Sequence, residues 1–288
     1  MKKKLIVAGT VWMLALAATE PIALDPFPQW KMPQGWSATP EQLECRFTGW
    51  SAVTMNLKIP KAGICRLEFR YRTPGGSGAP LKVRIDKETV AAYPATEEWS
   101  SAVCYFRADG PCPLTLIAEG KSPYTLQIGA PRLELLAEAD CRKFRLDAGK
   151  GVAGFRTMKG EAHRIVPTDD HIEEGMAFLS RGKEARELRS VELPVQPGRK
   201  YRLSFWVKGT PGRFRVGVDG GWLPDTRYWS VQQTKPVSSE WKKETLEFTL
   251  PAVDAYPVLK RGLLGCRFSI PAGQEELWLK DIDLEELP

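Results

Sequence analysis

Hydrophobic and polar positions alternate along most of the chain. In "YRLSFWVK" (201–208), Tyr201, Leu203, Phe205 and Val207 alternate with Arg202, Ser204, Trp206 and Lys208. A strand sends successive side chains to opposite faces, so the first set predicts a core face and the second a solvent face. In "RFRVGVD" (213–219), Phe214, Val216 and Val218 point inward while Arg213, Arg215 and Asp219 point outward. In "RLEFRYR" (66–72), Leu67, Phe69 and Tyr71 alternate with four charged residues, and Lys82 and Arg84 face out on the next strand. Pro and Gly punctuate these runs every ~8–12 residues, the spacing of an all-β sandwich. No long window keeps a helical period. Only "TPEQLE" (39–44) and "DDHIEEGMAF" (169–178) read as helical turns.

The pattern repeats. "LKIPKAGICRLEFRYRT" (57–73) parallels "VELPVQPGRKYRLSFWVKG" (191–209), each with a strand, a Pro, a Gly-containing turn and a strand built on Arg-Leu-x-Phe. "APLKVRID" (79–86) parallels "GRFRVGVD" (212–219), "EEWSSAVCYF" (97–106) parallels "SEWKKETLEF" (239–248), and "LQIGAPRLEL" (126–135) parallels "LWLKDIDLEE" (277–286). The order is the same in both halves, so one supersecondary unit occurs twice. The predicted fold is all-β: two tandem antiparallel jelly-roll sandwiches, over residues 25–138 and 139–288, after a leader at 1–18.

The last repeat holds Asp281, Asp283 and Glu285 two residues apart, where the first copy has Ala130, Arg132 and Glu134. Residues two apart on a strand are ~6.6 Å apart and four apart ~13 Å. Retaining glycosidases need carboxylates about 5–5.5 Å apart and inverting ones about 6.5–9.5 Å. The spacing suits at most an inverting pair, and the first copy does without the trio, so a solvated or metal-binding strand is the better reading.

The motifs "VQPGRKYRLSFWVKG", "SEWKKETLEFTLP" and "LWLKDIDLEEL" make residues 185–287 resemble carbohydrate-binding modules of the group of families four, nine, sixteen and twenty-two, which share a galactose-binding-domain-like jelly roll. The first copy fits the same frame more loosely, lacking the Pro-Gly pair and the closing Asp. The resemblance implies a polysaccharide ligand and a structural calcium ion, with Asp281 at the matching ligand position. A carboxylate beside loop carbonyls is suitable chemistry for calcium.

Sugar rings stack on Trp and Tyr through their apolar C–H faces. The candidate carbohydrate-binding residues are therefore Trp206 on its strand, Trp222 and Tyr228 in "DGGWLPDTRYWSV" (219–231), and the outward Arg202 and Arg215. An Arg-lined groove would suit carboxylated or sulfated glycans, because guanidinium binds such oxyanions bidentately. Trp99 and Trp241, at matching places in the two copies, read as caps on the core.

Composition narrows the class further. Lys2, Lys3 and Lys4 precede an apolar run from Leu5 to Leu16, with Ala15-Leu16-Ala17 as a small-x-small cleavage site. That is the pattern of a secretory signal peptide, so the mature protein is expected to be exported, to the periplasm or beyond, and not membrane-embedded. The formal charge of +6 falls to about +3 without the leader, which is no nucleic-acid footprint. Six cysteines in an oxidising compartment favour disulfides. Cys141 and Cys266 pair if the halves do not cross-link. "CYFRADGPC" reads as a hairpin that brings Cys104 to Cys112 and leaves Cys45 with Cys65, one of three connectivities. With only His163 and His171, zinc is disfavoured, and no Ser/His/Asp set or phosphate loop suggests an enzyme. The expectation is a non-catalytic polysaccharide-binding protein. The alternative is a structural or adhesive cell-envelope protein that binds a protein partner.

Overall fold

The computed structural model describes residues 19–75, 81–93, 95–146, 155–159, 163–168, 175–220, 229–256, 259 and 261–288. The strands of the first half are β1 (Glu20–Ile22), β2 (Trp36–Ala38), β3 (Gln42–Leu57), β4 (Gly63–Arg72), β5 (Leu81–Ile85), β6 (Glu88–Tyr93), β7 (Ser100–Ala108), β8 (Cys112–Gly129) and β9 (Arg132–Leu135). The second half continues with β10 (Lys143–Leu146), β11 (Phe155–Lys159), β12 (His163–Thr168), β13 (Gly175–Arg181), β14 (Arg186–Pro194), β15 (Lys200–Gly209), β16 (Gly212–Asp219), β17 (Ser230–Val237), β18 (Lys242–Thr249), β19 (Leu263–Ile270) and β20 (Glu276–Leu287). The all-β, antiparallel jelly-roll class expected from the alternation is the one observed. "TPEQLE" is not helical: Gln42 opens β3, because Leu43 and Cys45 are needed on the buried face.

In the first half, β3 and β8 pair along nearly their whole length and serve both layers of the sandwich. The first part of β8 pairs with β5, and its last part reaches β4 through Tyr71 and Ile128. The ladder slips between Phe47 and Gly49, where Gly49 takes φ +91°, a left-handed value that a side chain would oppose. Across the layers Phe69 meets Tyr93 edge-on at 5.9 Å between ring centres.

The second half has two separate sheets. One runs β12-β13-β20-β15-β18, with β10 also on β20; the other runs β11-β14-β19-β16-β17. Phe205 of β15 packs edge-on against Phe268 of β19 at 5.2 Å and Phe214 of β16 at 6.0 Å, so the inward faces of the two sheets meet as the alternation predicts. Burial of each such side chain contributes about 1.5–3 kcal/mol. The backbone N–H of Gln196 donates to the Tyr201 hydroxyl at 2.8 Å, which pins the Pro-Gly turn onto β15.

The halves touch through β6 and β7 against β11, β14 and β19. Arg261 spans the junction, pairing with Glu88 of the first sandwich at 3.0 Å and Glu192 of the second at 2.8 Å.

No disulfide of the expected set is formed. Cys45, Cys65, Cys104, Cys112 and Cys266 are buried free thiols, and Cys141 is buried as well. The reason is topological. β7 pairs with β4 rather than with β8, so "CYFRADGPC" crosses between strands that are not neighbours instead of forming a hairpin. Burial pushes the thiols of Cys45, Cys65, Cys104 and Cys266 up to about 12, and the neighbouring Cys112 adds to the rise at Cys65.

Candidate functional site

A polar face lies on the outside of the β11-β14-β19-β16-β17 sheet. Cross-strand register places Arg215 between Thr234 on β17 and Ser269 on β19, with Glu187 of β14 beyond Ser269. One row on, Gly217 sits between Gln232 and Arg267, with Arg189 beyond. A Cβ at Gly217 would meet Gln232 Cγ and the Val231 carbonyl oxygen, each at 2.8 Å, so glycine lets β17 lie close at this point.

Opposite charges knit the floor. Asp219 is almost fully buried and accepts from Arg189 at 2.9 Å, with Arg267 at 3.9 Å. Glu187 accepts from Ser269 at 3.2 Å and lies 3.3 Å from Arg189. Beside this floor is a cavity of about 440 Å³ lined by Ala185, Glu187, Arg213, Arg215, Thr234, Ser269 and Pro271 among others. Among the described residues Arg213 and Arg215 have no ion-pair partner, and Arg215 reaches Gln232 at 3.5 Å. Two open guanidinium forks beside hydroxyl and carboxylate acceptors suit a polyhydroxylated ligand, and the volume lies in the range of small-ligand sites.

Of the five residues the sequence nominated for carbohydrate, the structure brings only Arg215 to this cavity. Trp222 and Tyr228 lie outside the described residues. Trp206 and Arg202 are on β15, in the other sheet, and their side chains leave the sandwich on the opposite side. β15 and β16 follow one another into different sheets, so one groove cannot combine Trp206 or Arg202 with Arg215. Arg202 is also engaged, donating twice to Glu247 at 2.9 and 2.8 Å.

Trp206 is flanked in register by Lys243 and Lys280, next to an array of rings and cations. Lys208 sits 4.9 Å from the Trp241 ring centre and 5.2 Å from that of Trp278, and Lys280 sits 5.2 Å from Trp241. The first sandwich repeats the device, with Arg70 and Arg72 at 5.5 and 4.8 Å from Trp99. Trp99 and Trp241 therefore pair with cations of the outer face rather than cap the core. The alternation already placed Arg70, Arg72 and Lys208 on that face; what it lacked was the strand neighbour of each.

The acidic strand has local reasons for its carboxylates. Ser204 opposes Asp283 while Trp206 opposes Lys280, so Asp281 and Ile282 share the place opposite Phe205 as a β-bulge. Asp281 takes φ +46°, a left-handed conformation that Asp tolerates better than most residues. Asp283 accepts two hydrogen bonds from Arg145 at 2.9 and 3.1 Å. Among the described residues no group of three His, Cys, Asp or Glu side chains could hold a metal ion.

With this geometry in view, residues 147–258 match a family model described as a carbohydrate binding domain. The second sandwich matches carbohydrate-binding modules. No curated protein matches the chain. Among solved structures, the tandem CBM22-1–CBM22-2 domain of Xyn10C from Paenibacillus barcinonensis aligns over 94% of this chain and 98% of its own, at 16% identity and TM-score 0.38. The CBM22-2 xylan-binding domain of the same protein covers 50% of this chain and 99% of its own, at 17% identity and TM-score 0.38. The family 11 module of Lic26A-Cel5E from Clostridium thermocellum covers 50% and 95%, at 14% identity and TM-score 0.36. No helix among the described residues is long and apolar enough to cross a membrane.

Proposed function

We propose that the chain is an exported, non-catalytic protein that binds a polysaccharide through the Arg215 face of its second sandwich. The observation that carries this reading is that the match to a carbohydrate binding domain, over residues 147–258, takes in β14, β16 and β17, three of the four strands that line the cavity. Among the described residues Glu187 is the one carboxylate lining that cavity, whereas glycoside hydrolysis ordinarily needs two. Arg213 and Arg215 supply fixed donors for sugar hydroxyls or a carboxylate, and Thr234 and Ser269 supply hydroxyls. Trp222 and Tyr228 are proposed as the stacking residues. They lie in the segment that joins β16 to β17, whose ends are therefore tied to the strands carrying Arg215 and Thr234.

The test is affinity electrophoresis of the mature protein through gels holding neutral or anionic polysaccharides, at low and high salt. Retardation is expected, and Arg215→Ala and Trp222→Ala are expected to weaken it. Retardation lost in salt would assign the ligand to the anionic class. No retardation by any polysaccharide would overturn the reading and favour a protein partner at the cell envelope.

A further inference from the structure

We propose that the first sandwich holds a second glycan-binding face, centred on Trp50, which makes the chain bivalent. This rests on the polysaccharide reading above and extends it to a half of the chain that the family model does not match.

Among the described residues Trp50 is the one large hydrophobic side chain that stands exposed, at 63%. Its place in the fold is specific. β5 pairs with β8, and β8 with β3, as β16 pairs with β19, and β19 with β14, in the second sandwich. By the internal repeat Lys82 corresponds to Arg215. Register puts Ile117 beside Lys82 and Ala52 beside Ile117, in the positions of Ser269 and Glu187. Trp50 and its cross-strand partner Glu119 form the adjoining row. The exposed ring thus borders the counterpart of the Arg215 cavity.

The neighbours complete a sugar-binding surface. Ile117 is only 1% exposed yet lies outside the core cluster, so the outer face has a sheltered apolar floor. Lys82 donates to Glu119 at 2.6 Å, which sets a donor and an acceptor beside the ring. One row further, the Thr54 and Thr115 hydroxyls meet at 3.1 Å, next to Arg84, whose Nε is buried without a hydrogen-bond partner among the described residues. A pyranose stacks its C–H face on an indole while charged and hydroxyl groups at the edge take its hydroxyls. A protein-binding patch would call for a broader apolar surface than one ring bordered by an ion pair and two threonines.

The experiment compares wild type, Trp50→Ala, Arg215→Ala and the double variant in gels holding xylan, mixed-linkage β-glucan, pectate or chondroitin sulfate. Unchanged melting temperature controls for folding, since an exposed ring contributes little to the core. Each single variant should keep residual retardation in the gel that retards wild type, with an apparent dissociation constant raised ~10-fold or more as avidity is lost, and the double variant should run free. Trp50→Ala running as wild type, with the double variant no weaker than Arg215→Ala, overturns the second site and leaves the first standing. Wild type running free in every gel overturns both.

Discussion

Arg186 offers a sharp test of how the second sandwich is held together. It opens β14, is 4% exposed, and forms no ion pair among the described residues. Its Nε donates to Ser180 Oγ at 2.9 Å. One terminal nitrogen donates to the carbonyls of Gly182 and Glu184, and the other to those of Gln274 and Glu275. One guanidinium thus ties the β13–β14 turn to the start of β20 through four backbone acceptors. Replacing it with Met keeps the stem and removes every donor. A buried acceptor left unmet costs about 1–3 kcal/mol, and water can reach the surface carbonyls of Gly182 and Glu184, so the net loss should be near 3 kcal/mol. For a domain of this size that lowers Tm by ~6–12 °C. Arg186→Lys, with three donors for five acceptors, should fall between. Because the group is buried, the loss should hardly change between low and high salt. Calorimetry of both variants is the assay. A drop under ~2 °C for Arg186→Met would refute the reasoning.

Three more outcomes follow from the structure. Asp281→Gly should match or exceed wild-type stability while Asp281→Ala loses about 1 kcal/mol, because only the first suits a left-handed bulge; equal losses in both, deepened by a chelator, would instead mark Asp281 as a calcium ligand. Lys280→Met should leave Tm unchanged or raise it, since Lys280 Nζ is buried with no hydrogen-bond partner among the described residues and the Trp241 ring to offset its desolvation. Under reducing conditions the native thiols should resist a thiol reagent at pH 8 and react once denatured; burial keeps them protonated up to about 12, so the unfolded chain ionises first, and stability present below about pH 9 should fall between pH 9 and 12.

Period-two alternation decided by itself which side of each strand is buried. Leu67, Phe69, Tyr201, Leu203, Phe205 and Phe214 lie inside as the pattern requires, because the strand period is a local property of the backbone. The repeat likewise gave the two sandwiches, since each copy carries the same order of strands and turns. Which strands become neighbours was not local. β15 and β16 follow one another yet enter different sheets, and that crossing separates Trp206 and Arg202 from Arg215. β7 and β8 follow one another without pairing, and that removed the expected approach of Cys104 to Cys112. Lys208 and Trp241, or Trp50 and Lys82, are far apart in the chain, so no periodicity could join them. The resemblance pointed to Asp281 as a calcium position, and nothing in the one-dimensional pattern showed the bulge that it occupies. The one-dimensional pattern fixes the face that each residue occupies, whereas the sites depend on pairing across strands, which only the folded sheets decide.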